Sequence, residues 1–158
     1  MNEKHELGSI FIVYVATLLF FAVGAITTPE LLWYRTLALP SWSPGELFVA
    51  AVWCVLFVLA AFSMSAFWDA SPRDASFTLT AKLYAGNAAL ILLWDYIFFG
   101  LHRIDLAFWV SVLVAVSVAA IMMRVRSVSK KTLWLLAPYL LWVLFAAYYL
   151  FVLGTLNS

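Results

Sequence analysis

One acid and several tryptophans are the side chains of this sequence best suited to recognise a ligand. Asp95 lies inside a long apolar run, whereas the other sixteen charged residues lie at the N-terminus or between runs. A carboxylate in such a place is a candidate proton carrier or partner for a cationic ligand group. An indole N–H needs an acceptor away from water, which a ligand could supply. The tryptophans concerned are Trp33, Trp42, Trp53, Trp94 and Trp142.

Residues for the common enzymatic chemistries are missing. His5 and His102 are the two histidines and fall in different polar segments, so neither a histidine metal site nor a Cys–His pair is expected. Cys54 is the lone cysteine, and the six glycines are too scattered to form a phosphate-binding loop. We therefore expect no metal and no required cofactor, and enzymatic activity is not the favoured function.

Five long apolar runs predict an all-α membrane protein. A transmembrane helix needs roughly 20 apolar residues, and 66% of these residues are hydrophobic while only 11% are charged. The connections are short, so residues 1–158 are expected to form a single domain, a bundle of five transmembrane helices. The predicted spans, numbered in chain order, are 9–27, 47–68, 83–100, 106–123 and 132–153.

The distribution of positive charge predicts the orientation. Seven Lys and Arg residues lie on the side of the N-terminus and the second and fourth connections, and two lie on the other side. The positive-inside rule then places the N-terminus in the cytoplasm and the C-terminus outside. A signal peptide is the alternative interpretation of the first run, but its length and acidic head disfavour that alternative. The net charge of +1 gives no reason to expect a nucleic-acid partner.

The first connection, 28–46, is aromatic and stiffened by proline. Trp33 and Trp42 lie in it together with Pro40 and Pro44, which restrict the backbone. Tryptophans here could form the aromatic belt that is common at membrane interfaces. A segment of fixed shape could equally be a lid over a ligand cavity. The sequence leaves both interpretations open.

The rise of an α-helix places several candidate residues at one depth below this connection. At 1.5 Å per residue, Trp53 lies about 10 Å below the outer face, and Trp94 and Asp95 lie about 8 Å below it. Ala146 falls at a similar depth and Trp142 lies nearer the midplane. This clustering predicts a ligand cavity in the outer half of the bundle.

Asp95 also has a structural interpretation that involves no ligand. It lies near a helix end, so its side chain could reach interfacial water, where a charge costs little. It could alternatively pair with His102 or Arg103 in the next connection. We favour these structural interpretations.

Small residues recur every fourth position in two spans, a pattern that lets helices approach closely. Packing within the chain is the more common use of such stripes, and a homodimer through the third span is the alternative. The stripes are Ala81, Ala85 and Ala89 in the third span and Ser111, Ala115 and Ala119 in the fourth.

A set of short motifs runs through nearly the whole chain in a specific order. The set comprises Trp33-Tyr34, Pro40-Ser41-Trp42-Ser43-Pro44, Trp53, Leu56-Phe57, Tyr84, Asn87, Trp94, Phe98-Phe99-Gly100, Pro138-Tyr139-Leu140-Leu141-Trp142, Ala146-Ala147 and Asn157. In this order and spacing, the chain resembles the translocator protein family, also called tryptophan-rich sensory proteins or the TspO/MBR family.

The resemblance implies a five-helix bundle, often dimeric, with a pocket closed by the first connection. It also implies binding of porphyrins such as protoporphyrin IX or haem-like tetrapyrroles, for sensing, transport or sequestration. Trp53 and Trp142 match the pocket tryptophans of the family, Asn87 a polar pocket residue and Ala146 a small wall residue. Together with the depth argument, the predicted ligand-binding residues are Trp33, Pro40, Trp42, Trp53, Phe57, Asn87, Trp94, Asp95, Trp142 and Ala146.

Several positions depart from the family pattern around the presumed mouth of the pocket. Leu39 stands where a basic residue is usual, Gly45 replaces a proline, Ile91 an asparagine and Asp95 a hydroxyl residue. These departures bear most on which ligand is bound. The sterol-recognition pattern of the last helix needs a basic residue after a tyrosine, and none follows here, so sterol binding receives little support.

Two further functions remain as alternatives. The resemblance allows a light-dependent porphyrin-degrading enzyme that uses Trp53, in which the bound porphyrin absorbs the light and the indole is the redox partner. The residues themselves also allow a small proton-coupled transporter with Asp95 as the coupling acid.

Overall fold

The computed structural model describes residues 24, 31–128 and 130–158, and this part of the chain is all-α. By length and composition, four of its helices could each cross a membrane. They correspond to the second to fifth predicted spans, whereas the first, 9–27, lies outside the described residues except for Gly24. The second span is Glu46–Ala70, the third Ala75–Asp95, the fourth Ile104–Val125 and the fifth Lys130–Leu156.

The third span begins two turns earlier than the sequence predicted. Its polar first turns suggested a start at residue 83, but the helix starts at Ala75. Asp74 caps it, because its Oδ1 accepts a hydrogen bond from the backbone N–H of Phe77 at 2.8 Å. The hydroxyl of Thr80 donates to the carbonyl oxygen of Ser76 at 2.9 Å. Such back-bonding satisfies a hydroxyl inside a helix, so these residues do not interrupt it.

A π-helical turn, Tyr96–Gly100, extends the third span at its C-terminal end. The backbone N–H of Leu101 donates to the carbonyl oxygen of Tyr96 at 3.0 Å, five residues back. The wider turn brings two consecutive rings inside the bundle, since Phe98 and Phe99 are 3% and 9% exposed. Both rings therefore face the interior of the bundle from within the π turn.

The fourth span lies against both the third and the fifth spans, and the second span packs on the fifth. The buried face of the fourth span is lined by β-branched residues that recur three or four positions apart. The residues concerned are Val110, Val114, Val118, Ile121 and Val125. The fourth span therefore forms the back of the bundle and holds the third and fifth spans side by side.

The two stripes of small residues have different surroundings. Ser111 and Ala115 of the fourth span are 3% and 7% exposed. This stripe is used for packing within the chain, as expected. Ala85 and Ala89 of the third span are exposed, so that stripe lies on an outer face of the described bundle.

One buried polar group ties three spans together near the midplane. The Asn87 side-chain amide donates from Nδ2 to the hydroxyl of Ser117 at 2.7 Å, and the hydroxyl of Tyr139 donates to Asn87 Oδ1 at 2.8 Å. Hydrocarbon offers no replacement partners for these groups, so the bonds also specify how the helices face one another.

We expect Tyr139→Phe to lower the free energy of unfolding in detergent by about 1 kcal/mol, a typical value for a hydrogen bond between transmembrane helices. The substitution keeps the ring and removes only the donor to Asn87. Tyr148→Phe is the control, because Tyr148 is 59% exposed on the same helix. Equal stability of the two variants in chemical unfolding monitored by circular dichroism would contradict this role.

Candidate functional site

A cavity lies between the second, third and fifth spans, below the first connection. It encloses about 300 Å³, at the lower end of the roughly 300–1,000 Å³ typical of small-molecule sites. Its described lining is mostly apolar and aromatic: Gly24, Leu31, Tyr34, Pro44, Glu46, Val49, Ala50, Trp53, Phe57, Ile91, Trp94, Asp95, Phe98, Phe99, Trp142, Phe145, Ala146, Tyr149 and Leu150.

Each of the three helices contributes one face to this cavity. Residues three or four apart share a face of a helix, and the lining follows that spacing. The lining positions are 46, 49, 50, 53 and 57 in the second span, 91, 94, 95, 98 and 99 in the third span with its π turn, and 142, 145, 146, 149 and 150 in the fifth.

Two indole N–H groups in the cavity wall have no hydrogen-bond partner. Both Trp94 Nε1 and Trp142 Nε1 are buried without an acceptor. The Trp94 ring is held by stacking on Phe98, with centroids 5.3 Å apart, and Trp142 packs on Phe145 at 5.2 Å. A buried polar group left unpaired costs about 1–3 kcal/mol. Acceptors on a ligand could recover that cost.

Asp95 lies in the same wall and is 1% exposed. The interpretation in which its carboxylate reaches interfacial water is therefore wrong. Pairing with Arg103 is also wrong, since the Arg103 guanidinium binds both carboxylate oxygens of Asp105, at 2.9 and 2.7 Å. Pairing with His102 stays a prediction. The π turn that follows Asp95 keeps the chain inside the bundle for one more turn, which separates the carboxylate from the end of the helix.

Residues 31–45, which we call the lid segment, cover the cavity and line it through Leu31, Tyr34 and Pro44. Arg35 fastens one end of this segment, because its Nε and Nη2 donate to the two carboxylate oxygens of Glu46 at 2.8 and 2.7 Å. These hydrogen bonds raise the pKa of Arg35 above its ordinary value. The ion pair is exposed to solvent at the mouth of the cavity.

The fifth span holds the lid segment at two further points. The hydroxyl of Tyr149 lies 2.6 Å from that of Tyr34 and 2.7 Å from that of Ser43. The side-chain amide of Asn157 clasps one peptide unit, since its Oδ1 accepts from the N–H of Ala38 at 2.9 Å and its Nδ2 donates to the Ala38 carbonyl at 3.0 Å. This fastening supports the interpretation of the segment as a lid.

Six of the predicted site residues line the cavity together, and four do not. Trp33 stacks on His102 with ring centroids 4.1 Å apart, behind the wall. Trp42 packs behind Tyr149, and Pro40 is buried in the lid segment. The Asn87 side chain instead forms the hydrogen bonds between spans described above. The six lining residues are Trp53, Phe57, Trp94, Asp95, Trp142 and Ala146.

Several wall residues were not predicted from the sequence. Phe145, Tyr149 and Leu150 lie three, seven and eight positions after Trp142, which is the spacing of one helix face. Applying that spacing to each predicted tryptophan would have found them. Phe98 and Phe99 follow Trp94 by four and five positions, and they lie in a π turn that the sequence did not predict.

Comparison with known proteins relates this geometry to a family. The model of the TspO/MBR family matches residues 10–155. The tryptophan-rich protein TspO of Bacillus cereus is 30% identical over 153 residues, which cover 95% of this chain and 97% of that protein. Protein CrtK of Rhodobacter capsulatus is 33% identical over 150 residues, covering 94% and 93% of the two chains. The translocator protein of Ovis aries is 33% identical over 116 residues, covering 73% and 69%.

Relatives of this kind are similar to the chain over nearly the whole bundle, and the match includes every helix that forms the cavity. The chain is an integral, multi-pass membrane protein. The order of the tryptophan and proline motifs along its spans thus has a common origin with theirs, and the chain belongs to the TspO/MBR family.

Proposed function

We propose that the cavity binds porphyrins or related hydrophobic tetrapyrroles, for sensing, transport or sequestration. The observation that carries this proposal is the apolar cavity with the unpaired indole donors of Trp94 and Trp142 below a fastened lid. Aromatic walls favour a flat, largely apolar ligand, and the indole donors favour one that carries acceptors. A macrocycle is expected to displace part of the lid segment, since the closed cavity is small.

The proposal includes the architecture that this function requires. The first span, 9–27, would complete a five-helix bundle, and residues 1–158 would form one domain. The charge distribution supports a cytoplasmic N-terminus and an outer location for the lid segment. The exposed stripe that includes Ala85 and Ala89 is the face on which a second copy would pack in a homodimer.

Light-dependent porphyrin degradation is the second candidate function. Trp53 lines the cavity, and its ring lies 5.5 Å from Phe57 and 6.2 Å from Tyr139 between centroids. A bound porphyrin would thus meet an oxidisable indole inside the bundle. The chemistry would be that of the excited porphyrin, and the protein would supply position and the exclusion of water.

Protoporphyrin IX should quench the tryptophan fluorescence of the purified protein in a saturable manner. We expect Trp53→Phe and Trp142→Phe to raise the dissociation constant about threefold to tenfold, since each removes an indole donor and contact area. Trp134→Phe is the matched control, because Trp134 is 70% exposed and lies outside the cavity. If neither cavity substitution changes the dissociation constant of protoporphyrin IX, the cavity is not the ligand site.

The lid segment should control the release of the ligand. Asn157→Ala removes the clasp on Ala38, and we expect dissociation of protoporphyrin to become about threefold to tenfold faster, as for the loss of one or two hydrogen bonds. Thr155→Ala is the control, since that hydroxyl bonds only to the carbonyl of its own helix at Val152. Stopped-flow displacement measures both rates, and identical rates would argue against a closing role for the segment.

Degradation would appear as loss of the porphyrin absorption band under illumination. At saturating protein, Trp53→Phe should abolish this loss while the porphyrin remains bound. Trp134→Phe again serves as control. A band that is stable in the wild-type protein under light and oxygen leaves binding as the function and eliminates the degrading enzyme.

A further inference from the structure

A groove of about 540 Å³ lies beside the cavity, on the lateral surface of the bundle between the second and fifth spans. Apart from the indole N–H of Trp142, the described side chains that line it are apolar. Side chains from both spans leave it open, since Phe48 is 59%, Val55 57% and Leu141 68% exposed. Leu141 lies about 16 Å from the start of the fifth span, near the middle of a hydrocarbon layer about 30 Å thick. The groove therefore faces the acyl chains of the bilayer.

The groove and the cavity share part of their walls. Trp142 and Phe145 of the fifth span line both spaces, and we call this pair of rings the partition. The two side chains are half-buried and pack on each other with ring centroids 5.2 Å apart. In the second span, Ala50 lines the cavity and the next residue, Ala51, lines the groove. The two spaces are thus separated by two rings from one helix and by methyl side chains from the other.

The partition is held by packing. The indole N–H of Trp142 has no acceptor, so rotation of that ring breaks no hydrogen bond. Phe48 packs on the Trp142 ring with centroids 6.2 Å apart, and it lines the groove alone. One such aromatic contact contributes about 0.5–1.5 kcal/mol beyond its buried area. Pro138 lies one turn before Trp142 in the same helix, and a proline inside a helix removes one backbone hydrogen bond. Movement of the partition therefore costs little free energy.

We propose that the groove is the entrance by which a hydrophobic ligand passes from the bilayer into the cavity, and that Trp142 and Phe145 form the gate between the two spaces. This inference rests on the proposed function, that the cavity binds such a ligand, and specifies where the ligand comes from. A hydrophobic molecule concentrates in the hydrocarbon layer because transfer out of water is favourable. The groove is continuous with the cavity wall and receives the ligand there, while the lid segment governs release toward water.

Protoporphyrin IX dimethyl ester, a porphyrin without charged arms, tests this route in phosphatidylcholine vesicles that contain the protein. After stopped-flow mixing, the ester enters the bilayer and first quenches exposed tryptophans such as Trp134, which is 70% exposed. A slower, saturable phase of quenching then reports entry into the cavity. The same measurement with excess empty vesicles as acceptor gives the rate of exit into the bilayer.

Ala51→Phe places a ring in the groove beside the partition. We expect entry and exit of the ester to become at least about fivefold slower, while the dissociation constant stays within about twofold, because an obstructed path changes both rates by the same factor. Val58→Phe is the matched control, since Val58 is 49% exposed on the same helix and lines neither space. It adds the same side chain and should leave both rates unchanged.

Phe48→Ala should have the opposite effect. It removes the ring that packs on Trp142 from the side of the groove and changes no residue of the cavity wall. We expect entry and exit to become about threefold faster, as for the loss of one aromatic contact that holds the gate closed. Phe62→Ala is the control, because Phe62 is 56% exposed on the same helix and lines neither space. A poorly folded variant would not bind the ester with the wild-type dissociation constant.

The outcomes separate this inference from the proposed function. Rates that are unchanged in Ala51→Phe and Phe48→Ala overturn the route through the groove and leave the cavity as a ligand site. Entry that becomes faster in Asn157→Ala but does not respond to Ala51→Phe assigns the route to the lid segment and also overturns the inference. So does protein that binds protoporphyrin in detergent but shows no slow phase with the ester in vesicles. Failure of both porphyrins to quench saturably overturns the proposed function and the route with it.

Discussion

The structure depends on one constraint, the lack of hydrogen-bond partners for polar groups in the hydrocarbon layer. Most buried polar side chains of the described bundle therefore form hydrogen bonds to one another or to a backbone carbonyl. Asn87 joins Tyr139 and Ser117 near the midplane, and Ser63 lies 2.7 Å from the Tyr84 hydroxyl and donates to the Thr132 carbonyl. These bonds fix which helix faces meet. Against this background, the indole donors of Trp94 and Trp142 stand out because both line a cavity and neither has an acceptor.

The cavity exists because large rings hold the helices apart in the half of the bundle next to the first connection, whereas β-branched and small residues of the fourth span allow close packing behind it. Trp53, Trp94 and Trp142 contribute one ring from each wall, and the π turn adds the rings of Phe98 and Phe99. The lid segment then closes the space from the aqueous side. Its fastening uses a surface ion pair, a tyrosine hydroxyl and an asparagine amide, which are individually weak bonds.

Sequence reasoning identified the helices that the structure describes and six residues of the cavity, and its errors have physical causes. The third span was started too late because the hydroxyls near Thr80 resembled a polar connection, although they bond to their own helix. Asn87 was assigned to the pocket by resemblance, but its side-chain amide forms hydrogen bonds to residues of two other spans. Asp95 was favoured as an interfacial group because it lies near the end of the third span, but it lies in the cavity wall and is 1% exposed.

The amino-acid sequence by itself determined that lipid is the solvent of this chain and how many long apolar runs it has, because these follow from the free energy of transfer of each residue and from the rise of a helix. Family membership was also legible in the order of the tryptophan and proline motifs. Only the tertiary structure decided which polar groups found partners. Asn87 and Tyr139 did, while Trp94 and Trp142 were left with donors facing no acceptor, and Asp95 was enclosed among rings. Hydrogen bonding depends on distance and direction between residues from different helices, and that information arises when the helices pack.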